Sequence, residues 1–242
     1  VLVTGMSGEV VHLDSALVEQ RRWQAHAGAV NALRVVDGQI WTGGGDGLVK
    51  VWDWTLLAPV ETFAGPKKPV TSLFFAPSRL IAQTYERAVY VWNRAEPGAQ
   101  PRKFPKIASL AQNDAGWLGC PKTGSKAGEI GALAELDLET GQFGNAVSSA
   151  GFAAWSLQSI EGRGLLAFGL DLRACFVDPA TGRREPVAWH SKSWPPGYLR
   201  LSDGGEVLFG DGQIDHRGQV PKAPLKGLSC AIHAPAPRLA SS

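Results

Sequence analysis

Cysteine is scarce in this 242-residue chain. The three present, Cys120, Cys175 and Cys230, lie far apart and form no C-x-x-C pair. That argues against a disulfide framework or a zinc site and points to a reducing, cytoplasmic setting. Small half-buried core residues are the plain reading for all of them. Long apolar runs are missing too, for none approaches the ~18 residues of a membrane-spanning helix. Charged residues make up only 19% and the net charge is +2, too little to imply nucleic-acid binding by itself. No G-x-S-x-G, P-loop or H-E-x-x-H motif occurs, which removes the usual signatures of hydrolases, nucleotide binders and zinc proteases. His12, His190, His216 and His233 stand apart from one another and from cysteine, so no metal site follows. Asp203-Gly204-Gly205 and Asp211-Gly212 lack the ligand pattern of a calcium loop and read as hairpin turns. The expectation is a protein with no metal or cofactor, and not an enzyme. An initiator methionine is also missing, and Val1-Leu2-Val3-Thr4 already lies in a strand-like pattern. A piece of a longer polypeptide is therefore expected.

What the chain has in quantity is turn residues. Its 29 Gly and 16 Pro are spaced between short apolar runs, so they punctuate strands and do not mark disorder. The nine tryptophans fall mostly at strand positions, where a core role is the default. The clearest stretch is residues 26–53. Residues 29–35, 39–42 and 48–52 read as strands, with Asp37-Gly38 and Gly43-Gly44-Gly45-Asp46-Gly47 turning the chain between them. Asp-Gly between β-branched runs is a strong hairpin signal.

This stretch closely resembles one WD40 repeat. His26, Thr42, Asp46 and Trp52 stand where such a repeat carries its His–Ser/Thr–Asp–Trp hydrogen-bond network. The resemblance implies an all-β, WD40-like β-propeller. Self-similarity at ~40 residues is the expected signature of such a ring. Aligned on this stretch, the chain shows units at about 29–64, 69–104, 107–148, 152–190 and 197–223, and a partial one at 1–26. The partial unit lacks a first strand, and residues 227–233 read as one, so residues 228–242 are expected to complete that unit. A ring needs such a closure, because an unpaired edge strand is a liability. The expectation is one domain, 1–242, forming a six-bladed propeller whose N- and C-terminal strands share a blade. Seven blades is the alternative and requires a unit the sequence does not offer. A sandwich or barrel would also show short, evenly spaced strands, but not the ~40-residue repeat with Trp-Asp-like endings. The units diverge in residues. The third has Pro66 where His26 stood, Ala82 for Thr42 and Glu86 for Asp46, and the first has Leu13 for Trp52.

A His, a hydroxyl and a carboxylate invite comparison with a catalytic triad. The resemblance assigns His26, Thr42, Asp46 and Trp52 a structural task instead, a polar staple that satisfies a buried indole N–H and a carboxylate inside one unit.

In WD40 rings the loop entering each blade and the hairpin between its second and third strands lie on the top face. On that reading the top face collects Lys67, Lys68, Tyr85, Arg87, Lys106, Lys122, Lys126, Lys192, Lys222 and Lys226, with Lys103 close by. The opposite loops hold Asp14, Asp37, Asp53, Asp114, Glu139, Glu161, Asp178 and Asp203. A nearly neutral chain would then carry a basic face suited to an acidic protein segment, or less readily to a phosphate backbone. Solvated loop lysines are the plain alternative. The leading function is a non-enzymatic protein–protein interaction scaffold or regulatory module. A propeller enzyme or small-ligand binder using the central channel is the second reading, and an architectural domain packing on fused domains of its own chain is the third. The Ala-, Gly- and Arg-rich composition with a single Met suggests a bacterial source. The glycine-rich loop 121–131 receives no role.

Overall fold

The computed structural model describes residues 1–113, 116–124, 129–147, 153–160, 163–169 and 173–187, together with the backbone of 188–190, 197–200, 206–210, 213–216 and 230–232. Every regular element among them is a β-strand. None of them forms a helix long and apolar enough to cross a membrane. Strands β1 (Leu2–Thr4), β2 (Glu9–Leu13) and β3 (Glu19–Gln24) are followed by β4 (Val30–Val36), β5 (Gln39–Gly44), β6 (Val49–Trp52) and β7 (Pro59–Phe63). Next come β8 (Val70–Ala76), β9 (Arg79–Thr84), β10 (Val89–Asn93) and β11 (Arg102–Phe104), then β12 (Ile107–Asn113), β13 (Gly116–Pro121), β14 (Ala134–Leu136) and β15 (Phe143–Ala146). The series ends with β16 (Ala154–Ile160), β17 (Gly164–Gly169), β18 (Arg173–Val177), β19 (Arg184–His190), β20 (Gly197–Arg200), β21 (Glu206–Gly210), β22 (Gln213–His216) and β23 (Cys230–Ile232).

These strands form antiparallel meanders that follow one another along the chain: β4–β7, β8–β11, β12–β15, β16–β19 and the three-stranded β20–β22. The first sheet differs, because β23 joins β1–β3 in the order β23-β1-β2-β3. Thr4 faces Cys230 and Leu2 faces Ile232, so strands from both ends of the sequence share one sheet. The chain divides into two compact units, one of Val1–Lys103 with the segment carrying β23, the other of Phe104–Lys226.

Two local features recur although the residues carrying them change. The ladder of β4, β8, β12 and β16 with its neighbour shifts register at the second residue, at Asn31, Thr71, Ala108 and Trp155. Each shift is a β-bulge, which strengthens the local twist. The third strand of each of five sheets ends in an Asx turn. Asp14, Asp53, Asn93, Asp137 and Asp178 each accept, through Oδ1, the backbone N–H two residues on. A short side chain that mimics a backbone turn suits Asp and Asn.

Side-chain alternation decides where the cores lie. One face of the second sheet gives Ala32, Trp41, Val49, Val51 and Phe63 to a core shared with Val70, Leu73, Leu80 and Trp92 of the third. Its other face gives Leu33, Ile40 and Trp52 to a core shared with Leu2, Val10 and Trp23 of the first. In the second unit, Ala111, Leu118 and Cys120 pack on Leu157, Leu165 and Val177. Arg94 lies 5.4 Å over the Trp41 ring and 5.7 Å over Phe75, and donates to Asp37 at 2.8 Å. Trp54 closes the first core, edge-on to His12 at 4.6 Å and capped by Arg21, which donates to its carbonyl at 2.6 Å.

Some expected boundaries move. Strand β5 runs through Gly43 and Gly44, so the five-residue glycine hairpin shrinks to a turn closed by Gly44 N–H on the Leu48 carbonyl at 3.0 Å. The third strand expected at 132–137 is only Ala134–Leu136.

Candidate functional site

His26 lies between β3 and β4, and its backbone is fixed before its side chain is considered. The N–H groups of Ala25 and His26 both donate to the Gly8 carbonyl, at 2.8 and 3.1 Å. The Gln24 amide donates to the His26 carbonyl at 2.7 Å. Gly44 leaves room for the imidazole, since a Cβ there would run into the ring.

The four residues aligned with the WD40 network are joined. His26 Nδ1 lies 2.9 Å from Asp46 Oδ1, and Nε2 lies 2.8 Å from Thr42 Oγ1. The Trp52 indole N–H donates to the same Thr42 oxygen at 2.8 Å. One proton arrangement satisfies every atom. Thr42 accepts from Trp52 and donates to Nε2, so Nδ1 carries the imidazole proton and donates to Asp46. Burial lowers the His26 pKa, and the charge and hydrogen bond of Asp46 only partly oppose it. Burial pushes the Asp46 carboxyl up, but the Leu48 N–H, the His26 ring and the Ala27 N–H outweigh that and hold it below its ordinary value. The neutral ring beside a carboxylate is therefore the resting state.

The connectivity is that of a triad, but the chemistry is closed off. Thr42 is fully buried, and its oxygen already accepts the Trp52 N–H. A nucleophile needs access to substrate, and this hydroxyl is shut away from solvent.

The third sheet answers the same requirement with other atoms. Trp92 stands opposite Leu80 as Trp52 stands opposite Ile40, yet its indole donates to the Ala64 carbonyl at 3.2 Å. Glu86 accepts from the Tyr90 hydroxyl at 2.9 Å and from Lys103 at 3.0 Å. The hydrogen bond from Lys103 is the main reason its carboxyl is held low. Sequence reading assigns none of these residues a partner; the signal is that Tyr90 and Glu86 replace Lys50 and Asp46 together.

The proposed basic face resolves unevenly. Lys67 and Lys68 are exposed, and Tyr85 is 71% exposed. These three share one loop cluster, since the Tyr85 N–H donates to the Pro69 carbonyl at 2.9 Å. Arg87 belongs to the same cluster but is half-buried, with burial lowering its pKa. It holds a positive φ of 63° where the second sheet has Gly47. Lys103 is paired. In the other unit Lys106 is exposed, whereas Lys122 is half-buried and donates its backbone N–H to the Lys106 carbonyl at 2.7 Å. Lys126, Lys192, Lys222 and Lys226 lie outside the described residues.

In the acidic loops, Asp14, Asp53 and Asp178 also close turns through their oxygens. Asp178 is held low chiefly by the Thr181 hydroxyl and the Ala180 N–H. Asp37 pairs with Arg94. Asp114, Glu161 and Asp203 lie outside the described residues. The signal for these turns is positional, an Asp or Asn at about 40-residue spacing at the end of the third strand of five sheets.

Among the described residues no three His, Cys, Asp or Glu side chains converge to hold a metal ion. Compared with known proteins, the sequence matches no family model and no curated protein at a significant level.

Proposed function

We propose that the sheets are the blades of a six-bladed, WD40-like propeller and that the chain is a non-enzymatic protein-interaction module. Supporting the ring reading are the bulge and the Asx turn that recur sheet after sheet and the pairing of β23 with β1. The observation that carries the interaction reading is a contrast inside one unit. Of the residues with catalytic-looking chemistry, His26 and Thr42 are buried in the second sheet, while Lys67, Lys68 and Tyr85 are presented on loops tied to strands. Rigid strands with exposed loops limit the ordering cost of binding.

One observation favours the architectural reading as a second choice. Leu17, Val18, Leu56 and Val60 are exposed in and beside the turns that follow β2 in the first sheet and β6 in the second. Such residues suit a surface covered by another part of a longer polypeptide. Capture from an extract of the source cells separates the two. The wild-type chain is compared with a Lys67→Glu/Lys68→Glu/Tyr85→Ala variant and a Leu17→Asp/Leu56→Asp variant. Loss of the captured protein in the first variant alone is expected. Loss in the second alone transfers the function to the apolar residues, and capture unaffected by either overturns both readings. An experimental structure without six blades around one axis would overturn the ring.

A further inference from the structure

We infer that the loop Pro66-Lys67-Lys68-Pro69 receives an acidic peptide segment, with carboxylates on Lys67 and Lys68 and an apolar side chain against the Tyr85 ring. The inference rests on the interaction reading above and names its partner's chemistry.

The charge is uncommitted. Lys67 and Lys68 are exposed, and neither holds an ion pair or hydrogen bond among the described residues. Lys68 feels the charge of Glu86, but that carboxylate is already bound by Lys103 and Tyr90. The nearby Asp46 is held by the His26 ring and by backbone N–H groups. An incoming carboxylate therefore meets two lysines that no acid among the described residues has claimed.

The loop is preorganised. Proline on each side restricts the backbone of the Lys-Lys pair. Pro66 is buried, Gly47 has no room for a Cβ against the Pro66 carbonyl, and Pro69 accepts the Tyr85 N–H. Little order has to be imposed on binding, so more of the attraction is available as affinity. Tyr85 adds a large ring that is 71% exposed and anchored beside the lysines through its own backbone, the kind of amphipathic anchor found at interface centres.

An acidic peptide fits better than nucleic acid. Two free cations neutralise few phosphates, and one exposed ring makes a poor stacking platform. A segment with a pair of carboxylates and an adjoining apolar side chain uses both exposed lysines and the Tyr85 ring.

The test is fluorescence anisotropy with the full chain and a short labelled peptide of alternating Glu and Asp around a central Leu, across a salt series. A peptide with Gln and Asn in place of the acids and a single-stranded DNA of similar length serve as comparisons. The acidic peptide is expected to bind at low salt and to weaken as salt screens the lysines. Lys67→Gln/Lys68→Gln should weaken it about tenfold. Tyr85→Ala should weaken it less. Exposed positions keep these variants folded, which thermal melts verify. Equal affinity in the double lysine variant, equal binding of the neutral peptide, or tighter binding of the DNA through the same lysines would each overturn the inference. If the acidic peptide fails while capture from extract still depends on Lys67 and Lys68, the acidic chemistry is wrong and the interaction reading stands. If capture is also insensitive, the interaction reading falls with it.

Discussion

The second and third sheets share a register and a bulge but not a polar core. Ile40 faces Trp52 in one, and Leu80 faces Trp92 in the other. In the second sheet the indole N–H starts a chain through Thr42 and His26 to Asp46. In the third, Ala82 replaces the hydroxyl, the indole turns to a backbone carbonyl, and the acid pairs outward with Tyr90 and Lys103. The strand frame therefore does not depend on the network. The Trp52 and Trp92 indoles each find an acceptor, and a carbonyl from the preceding loop serves as well as a buried threonine, although the buried Trp41 indole has no partner among the described residues. The second sheet's solution is internal and sealed, so breaking it should be costly. The third sheet's solution lies near solvent, so breaking it should be cheap.

The largest difference is expected at Gly44. Its counterpart in the third sheet, Thr84, already carries a side chain because no imidazole lies beside it. Gly44→Ala would drive a methyl into the His26 ring and should cost roughly 3 kcal/mol in denaturant unfolding. Thr84→Ala should cost about 1 kcal/mol, mainly for its hydroxyl bond to the Ala88 carbonyl.

Next is Thr42→Val, which keeps the shape but leaves the Trp52 N–H and His26 Nε2 without partners. A loss of about 2 kcal/mol is expected, whereas Ala82→Thr in the third sheet should give no gain, since neither His nor a waiting indole is there. A stabilised Ala82→Thr chain would show that the two sheets are closer in design than their hydrogen bonds indicate.

Acid should sharpen the same contrast. Burial holds His26 neutral in the folded chain, while the unfolded chain takes up a proton at the ordinary value of 6.5. The unfolded state therefore binds more protons below that pH, so stability is complete above it and falls as pH drops. His12, lowered first by burial and then by the chain's amino group and Arg21, acts in the same direction. The third sheet has Pro66 at the His26 position and adds no histidine, and its lowered Glu86 carboxyl costs stability only in the more acid carboxylate range. Unfolding midpoints measured across this range should flatten in His26→Gln, relative to its own stability at neutral pH. An unaltered slope would mean that His26 is protonated in the fold.

The smallest effect is expected at Glu86→Gln. Its bonds to Lys103 and Tyr90 are largely solvent-accessible, so the loss should be about 0.5 kcal/mol, shrinking further in high salt. A loss as large as that of Thr42→Val would remove the distinction between a sealed network and a surface pair.

Much of the frame was legible because its signals are local. The strands read at 29–35, 39–42 and 48–52 correspond to β4, β5 and β6, and β9 and β10 flank a hairpin at Glu86-Arg87. The first strand expected at the C-terminal end pairs with β1. Less legible was what the polar side chains do. Asp53 and Asp178 look like free acids until their turns are seen, and Arg87 and Lys103 look like free cations until their surroundings are.

Alternating apolar residues and Gly-, Pro- and Asp-marked turns act over a few positions, so the order of strands, their hairpins and the ~40-residue rhythm belong to the sequence by itself. The likeness of residues 26–53 to a WD40 repeat does too, and rests on that stretch alone. Which donor meets which acceptor was decided only when the sheets packed. Arg94 reaches Asp37 across 57 positions and Asn31 reaches the Val70 carbonyl across 39. Tertiary packing also separated the cations, turning Lys103 to Glu86, half-burying Arg87 and leaving Lys67 and Lys68 exposed and unpaired among the described residues. A charge has no local rule for its partner, because the Coulomb field is set by whatever the fold brings near.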